Sequence, residues 1–136
     1  GLRIYRTLRI PWMRHVPIGP SYRKLFLDIL LVALVAKKLI IERYDVIHTH
    51  EEAGLIGAVT ARWVGAHHLY DMHSSLPQQL RNFKTYNYAP VVKLFDLMER
   101  FVVRRADAVI AICPELLQHV AKIDKERPCF LIENTI

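Results

Sequence analysis

Short apolar runs alternate with longer helical patterns along the chain, and this alternation is the feature that most constrains the fold. Runs of strand length lie at Arg3–Ile10, Asp45–Thr49, His67–Met72, Asp107–Ile112 and Cys129–Ile132. The segment between each pair of runs is long enough to form a crossover helix. The order therefore predicts an α/β fold, a Rossmann-like parallel sheet with helices on both faces.

The intervening segments carry signals for helix starts and stops. Ser21 is a plausible N-cap for a helix from about Tyr22 to Arg43, and Gly65 is suited to end a helix over Ala53–Val64. Proline is favoured at the first helical position, which predicts helices over Pro90–Arg105 and Pro114–Ile123. The polar stretch Ser74–Tyr88 shows no clear period, so we predict an irregular segment there.

Composition excludes several classes of protein. The chain has 136 residues, and 52% of them are hydrophobic, which excludes an intrinsically disordered chain. The two cysteines, Cys113 and Cys129, form no CxxC or CxxH pattern, which argues against a disulfide scaffold or a structural zinc site. The longest charge-free apolar run, Ile29–Ala36, is far shorter than the roughly 20 residues of a spanning helix. We therefore expect a cytoplasmic protein.

The two ends of the sequence suggest a piece of a longer protein. The chain begins at Gly1 rather than Met and stops at Ile136, directly after an apolar run. We expect residues 1–136 to form a single partial Rossmann-like domain that is truncated at both ends.

Polar side chains follow the predicted strands at their carboxyl ends. His48 and His50 lie at the end of one run, and Asp71 and His73 lie at the end of the next. Residues two apart on a strand share a face, so each pair points to one side of the sheet. Ligands of open α/β sheets bind beyond the carboxyl ends of the strands. We therefore search for the functional site at this edge.

Three interpretations of this quartet remain open. His48, His50, Asp71 and His73 can bind a metal ion, which would indicate a metal-dependent hydrolase. The histidines can instead act as acid, base or hydrogen-bond partner for a polar substrate such as a sugar or phosphate. Alternatively, they only satisfy buried loop backbone. Because His50 and His73 come at adjacent strand ends, function is favoured for these two. Glu51 suits the start of the following helix as well as it suits catalysis.

The net charge of the chain bears on which classes of molecule it can bind. With 19 Lys and Arg residues against 13 Asp and Glu, the net charge is +6. Such a surface can attract anionic membrane lipids or phosphate-bearing ligands, although charge alone favours an ordinary solvated basic surface. No recognised nucleic-acid module, glycine-rich dinucleotide motif or Walker A motif is present. We therefore expect no nucleic-acid partner.

Taken in order, several segments resemble the amino-terminal domain of family 4 glycosyltransferases. They are Asp45–His50, Ala61 with Gly65, His67–Ser75, Glu99 ahead of Arg104–Leu116, and Phe130–Ile136. The resemblance covers about Tyr44 to Ile136. It implies half of a GT-B fold, in which the amino-terminal domain binds the acceptor and a second domain binds the nucleotide sugar. It also implies sugar transfer with retention of anomeric configuration and no metal cofactor.

The resemblance also implies roles for individual residues. His73 matches a histidine that contacts the transferred sugar near the reacting centre, and His50 matches one on the acceptor side. Glu51 and Ser74 are expected beside them as substrate-binding residues, and Asn134 matches an asparagine near the donor phosphates. The implied partners are a nucleotide sugar and a glycan or lipid-linked acceptor, with peripheral contact to an anionic membrane surface at its inner face.

Two positions depart from the family pattern. Cys113 stands where the family often has Ser, and Glu133-Asn134-Thr135 stands where it often has Pro-Asn-Gly. Threonine does not adopt positive φ as glycine does, so we expect a different turn at this point. The donor domain and its paired glutamates lie outside this sequence, and the resemblance implies that the fragment alone is inactive.

Overall fold

A computed structural model describes residues 3–7, 22–82 and 89–133, and the chain divides into two compact units, Gly1–Arg43 and Tyr44–Ile136. The first unit contains helix α1, Tyr22–Ile41. Near its end, Lys38 Nζ lies 2.8 Å from Glu42 Oε1 and 3.5 Å from the centroid of the Tyr5 ring. The hydrogen bond to Glu42 raises the pKa of Lys38.

The strand predicted at Arg3–Ile10 is wrong for residues 3–7, which have no regular secondary structure. Residues 8–10 lie outside the described part of the chain, as does the predicted cap Ser21. A β-strand needs a hydrogen-bonded neighbour, and a sequence pattern by itself does not supply one. An alternating pattern alone therefore did not produce a strand here.

The second unit alternates strands and helices. Its elements are β1 (Val46–His50), a 3-10 turn (Glu51–Ala53), α2 (Gly54–Val64), β2 (His67–Met72), α3 (Leu76–Asn82), α4 (Ala89–Arg105), β3 (Ala108–Ala111), α5 (Pro114–Ile123) and β4 (Cys129–Leu131). The four strands form one sheet in the order β1-β2-β3-β4, and every pair is parallel. This arrangement confirms the predicted Rossmann-like α/β fold, a parallel sheet flanked by helices.

Local sequence signals set several helix boundaries. Gly65 adopts the left-handed conformation, with φ of 71°, and its N–H donates to the carbonyl oxygen of Ala61. Only glycine adopts this conformation without a steric cost, which explains why α2 ends there. Pro114 begins α5, directly after an extended Cys113. Both boundaries agree with the prediction from sequence.

Helix α3 corrects the prediction that the whole of Ser74–Tyr88 is irregular. Leu76–Asn82 is helical, whereas residues 83–88 lie outside the described part of the chain. Pro77 occupies the first turn, where its missing N–H costs nothing. Leu80 is buried and α3 packs against α4, so tertiary contact stabilises a helix too short to be stable alone.

The core of the second unit lies between the sheet and its helices. Met72, Val103, Val109, Ala111 and Val120 are each fully buried there. Because Met72, Val109 and Ala111 are buried, the face of β2 and β3 that carries them is the one packed against the helices. Residues that alternate with them lie on the opposite face of the sheet. None of the described helices is both long and apolar enough to cross a membrane.

Candidate functional site

Strand register brings together the four residues that the sequence singled out at the carboxyl edge. His50 of β1 is the direct partner of Asp71 of β2. His48 precedes His50 by two residues and therefore shares its face of the sheet, and His73, the first residue after β2, brings its ring to the same carboxylate. Thr49 lies on the opposite face, which packs against α2. Pairing in register therefore builds the cluster without any irregular backbone in the strands.

Asp71 lies at the centre of the cluster. Its Oδ2 is 2.9 Å from His50 Nε2 and 3.5 Å from His48 Nε2, and its Oδ1 is 3.1 Å from His73 Nε2. The rings of His50 and His73 are 4.3 Å apart between centroids and inclined by 48°. Three imidazoles thus surround one carboxylate.

Burial differs sharply within the cluster. Asp71 is only 8% exposed, whereas His48 and His50 are exposed and His73 is intermediate. Asp71 Oδ1 is buried and receives no hydrogen bond from the described residues, although His73 Nε2 lies 3.1 Å from it. A buried carboxylate oxygen without a hydrogen bond is costly. The cluster is therefore built to attract a cation or a hydrogen-bond donor.

Glu51 and Ser74 form a second contact at the same edge. Ser74 Oγ donates a hydrogen bond to Glu51 Oε1 at 3.4 Å. Glu51 follows His50 directly, and its φ of 43° is the one positive value among the non-glycine residues of the described chain. Such backbone strain is concentrated at functional sites, where the surrounding structure maintains it. Asn134, the remaining predicted site residue, lies outside the described residues.

His68 is a structural residue, although it lies close to the cluster in sequence. It is 1% exposed, and its Nε2 is 2.7 Å from Thr49 Oγ1. Burial lowers the pKa of His68, which favours a neutral ring. The side chain lies against Gly57 of α2, where no Cβ could be accommodated. This histidine therefore belongs to the packing between sheet and helix.

Glu99 is part of a buried polar cluster that includes Ser75, three residues after the end of β2. Its Oε1 accepts a hydrogen bond from Ser75 Oγ at 3.2 Å and lies 2.6 Å from His119 Nε2. These contacts join α4 to α5 and to the start of α3. The sequence analysis did not select His119, because nothing near a single histidine on a helix indicates that it contacts Glu99, 20 residues earlier in the chain.

The sequence analysis predicted which residues belong to the main site, but it did not predict how they are arranged. His50 and His73 lie together as expected. Asp71, which entered only the metal-binding interpretation, lies between them. The strand register sets His50 opposite Asp71, and no local pattern in the sequence predicts that register.

A polar cluster at the carboxyl ends of parallel strands is located where open α/β sheets as a class bind their ligands. The sequence profile of the glycosyl transferase 4-like domain matches residues 3–130, and the chain belongs to this family. Its function is accordingly of the glycosyltransferase type, with a sugar donor and an acceptor as partners. No protein with a curated function matches the chain in sequence.

Proposed function

We propose that this chain is the acceptor-binding half of a retaining glycosyltransferase of the hexosyltransferase type. It moves a sugar from a nucleotide sugar to a hydroxyl group of a glycan, lipid or other acceptor, such as a cell-envelope polysaccharide. Residues 1–136 form a partial Rossmann-like domain, and a second domain binds the donor. The single observation that supports this proposal best is the convergence of His50 and His73 on Asp71 in a chain of this family.

His50 is suited to receive the acceptor. A carboxylate oxygen 2.9 Å from Nε2 would repel a ring lone pair, so Nε2 carries the proton in the neutral ring. Nδ1 is then the unprotonated nitrogen, able to accept a hydrogen bond from the attacking hydroxyl. The negative charge of Asp71 stabilises the imidazolium that forms if the proton moves to His50.

His73 is suited to orient the transferred sugar. Its Nε2 is 3.1 Å from Asp71 Oδ1, and its side chain is more buried than that of His50. A partly buried imidazole is held in one orientation, which lowers the entropic cost of binding a sugar hydroxyl. Glu51 and Ser74, joined by their hydrogen bond, are proposed to bind the substrate beside it, and Asn134 to lie near the donor phosphates.

The reaction that we infer needs no metal ion or other cofactor. The acceptor hydroxyl attacks on the face from which the nucleoside diphosphate leaves, through an oxocarbenium-like transition state, and the donor domain stabilises the departing phosphate. This chain alone is then inactive. We infer a cytoplasmic location at the inner membrane face, where the net charge of +6 favours contact with anionic lipids.

A donor screen tests the proposal directly. The full-length protein is incubated with a panel of nucleotide sugars, with and without EDTA, and nucleotide release and product anomeric configuration are measured. We expect turnover with at least one donor, retention of configuration and no loss of rate in EDTA. Turnover abolished by EDTA would instead favour the metal-dependent hydrolase, and no turnover with any donor would favour a binding domain without catalysis.

Variants then test the two histidines. We expect His73→Ala and His50→Ala each to lower kcat by at least about 100-fold. His67→Ala is the matched control, because His67 is an exposed histidine that pairs with Asp107 at the opposite end of β2. Near-normal turnover in His73→Ala, with a folded protein, would contradict the assignment.

A further inference from the structure

The cluster around Asp71 has the composition and spacing of a transition-metal site. One nitrogen each from His50 and His73 and one oxygen from Asp71 all lie within 4.8 Å of one another. These are two imidazoles and one carboxylate, a ligand set that leaves a fourth position open in tetrahedral zinc proteins. His48 Nε2 is farther from Asp71, at 3.5 Å, and lies outside this set.

A second observation points independently to a cation. Asp71 Oδ1 is buried without a hydrogen bond from the described residues, in a residue that is only 8% exposed. A metal ion between Asp71 and the two rings would coordinate this carboxylate and remove the cost of leaving it unsatisfied. The same ion would explain why two imidazole nitrogens approach one carboxylate so closely.

We propose that His50, Asp71 and His73 bind one divalent transition-metal ion, with Zn²⁺ as the expected occupant. Zinc binds imidazole nitrogen and carboxylate oxygen at about 2.0–2.2 Å, which separates neighbouring ligand atoms of a tetrahedral site by roughly 3.3 Å. The two distances from Asp71 to the ring nitrogens, 2.9 and 3.1 Å, differ from this by a few tenths of an ångström.

The ligand chemistry excludes the hard cations. Mg²⁺ and Ca²⁺ take oxygen ligands almost entirely, whereas two of the three ligands here are nitrogens. On binding, each ring offers the lone pair of Nε2 and carries its proton on Nδ1 instead. A neutral imidazole changes only its tautomer in this step, so no proton is gained or lost by the rings.

Bound zinc should compete with the acceptor and the sugar for His50 and His73. This consequence rests on the proposed function. If Nδ1 of His50 accepts the proton of the acceptor hydroxyl, a zinc-bound ring that is protonated at Nδ1 cannot do so. A zinc ion beside His73 also occupies the space of the sugar hydroxyl. Zinc is therefore an inhibitor of transfer at this site and not its cofactor.

Calorimetric titration of the metal-free full-length protein with ZnCl₂ tests the binding itself. We expect one saturable zinc site per chain, and visible absorption of tetrahedral Co²⁺ when CoCl₂ replaces zinc. His50→Ala, His73→Ala and Asp71→Ala should each weaken zinc binding at least about tenfold. His67→Ala, which removes a more exposed histidine from another His–Asp pair, should bind zinc as the wild type does.

Two results would overturn the site. One is a wild-type protein without a saturable zinc site, and the other is an equal loss of affinity in His67→Ala and His50→Ala. Circular dichroism of each metal-free variant confirms that it is folded before titration. Because this titration contains no sugar, its result tests the zinc site separately from the proposed function, which the donor screen tests.

Inhibition is measured separately in the transfer assay. Saturating zinc should lower turnover at least about tenfold, and EDTA should restore it. Undiminished transfer with zinc bound would contradict the competition but leave the binding site intact.

Discussion

Thr49 and His68 are joined by a buried hydrogen bond between neighbouring parallel strands, with Thr49 Oγ1 2.7 Å from His68 Nε2. Gly57 of α2 lies directly against this pair, and a Cβ at Gly57 would come within 2.6 Å of Thr49 Cγ2 and overlap the His68 ring. Absence of a side chain at position 57 is thus what allows α2 to approach β1 and β2. Thr49 belongs to the same strand as His48 and His50, so this packing also supports the candidate site.

Gly57→Ala should destabilise the protein by about 1–3 kcal/mol, because the added methyl group overfills a packed interior. Urea unfolding at neutral pH measures the change in the free energy of unfolding. Val64→Ala is a suitable control, since Val64 is an exposed residue of the same helix. An unfolding midpoint equal to that of the wild type in Gly57→Ala would show that α2 can move away from the sheet at no cost.

Stability should fall on mild acidification because of His68. Burial holds the pKa of His68 below its ordinary value of 6.5, so the unfolded chain binds this proton first as the pH falls. The contribution of the neutral ring is complete above pH 6.5 and is lost as the pH falls through the lower pKa of the folded state. Unfolding free energies measured from about pH 7.5 down to about pH 5 should therefore decrease.

The variant His68→Gln separates His68 from the other histidines. Glutamine does not titrate, and its amide can still form a hydrogen bond with Thr49. We expect a lower stability at neutral pH and a flatter dependence on pH than in the wild type. Identical slopes in the two proteins would assign the acid sensitivity to other groups.

Glu99→Ala should cost about 1–3 kcal/mol of stability. The change leaves the buried Ser75 hydroxyl and the His119 ring without their shared acceptor. Thermal unfolding compared with Glu126→Ala, at an exposed glutamate, measures the effect. Equal melting temperatures for the two variants would mean that the interaction of Glu99 with Ser75 and His119 contributes nothing net.

Arg127 should be needed to close the end of α4. Its Nη1 donates to the carbonyl oxygen of Ala106 at 2.6 Å, and its Nη2 donates to that of Arg104 at 2.8 Å. These carbonyls lie at the helix terminus, where no intrahelical donor reaches them.

Both Arg127→Ala and Arg127→Lys should destabilise the protein, by about 1–3 kcal/mol for alanine, because lysine lacks the planar fork that reaches two acceptors. Chemical unfolding of both variants, beside Lys125→Ala at an exposed position, measures this. Full stability in Arg127→Lys would show that charge alone is sufficient.

The class of fold and the edge of the sheet that carries the candidate site both follow from local patterns in the sequence. Alternating strand and helix patterns predicted a parallel sheet, because hydrophobic periodicity and crossover length are local properties of the chain. Gly65 and Pro114 placed helix boundaries for the same reason, since the backbone limits of glycine and proline act within one residue. His50 and His73 were recognised from their positions at strand ends.

Only the tertiary structure decided which side chains contact one another. The hydrogen bond from Thr49 to His68 spans 19 residues and the contact between Glu99 and His119 spans 20, distances over which the sequence carries no periodic signal. Helix α3 formed where the local pattern predicted no helix, because it packs against α4. Asp71 is central because register pairs it with His50 while its own strand buries it. Burial and pairing arise when distant segments meet, and only the folded chain contains that information.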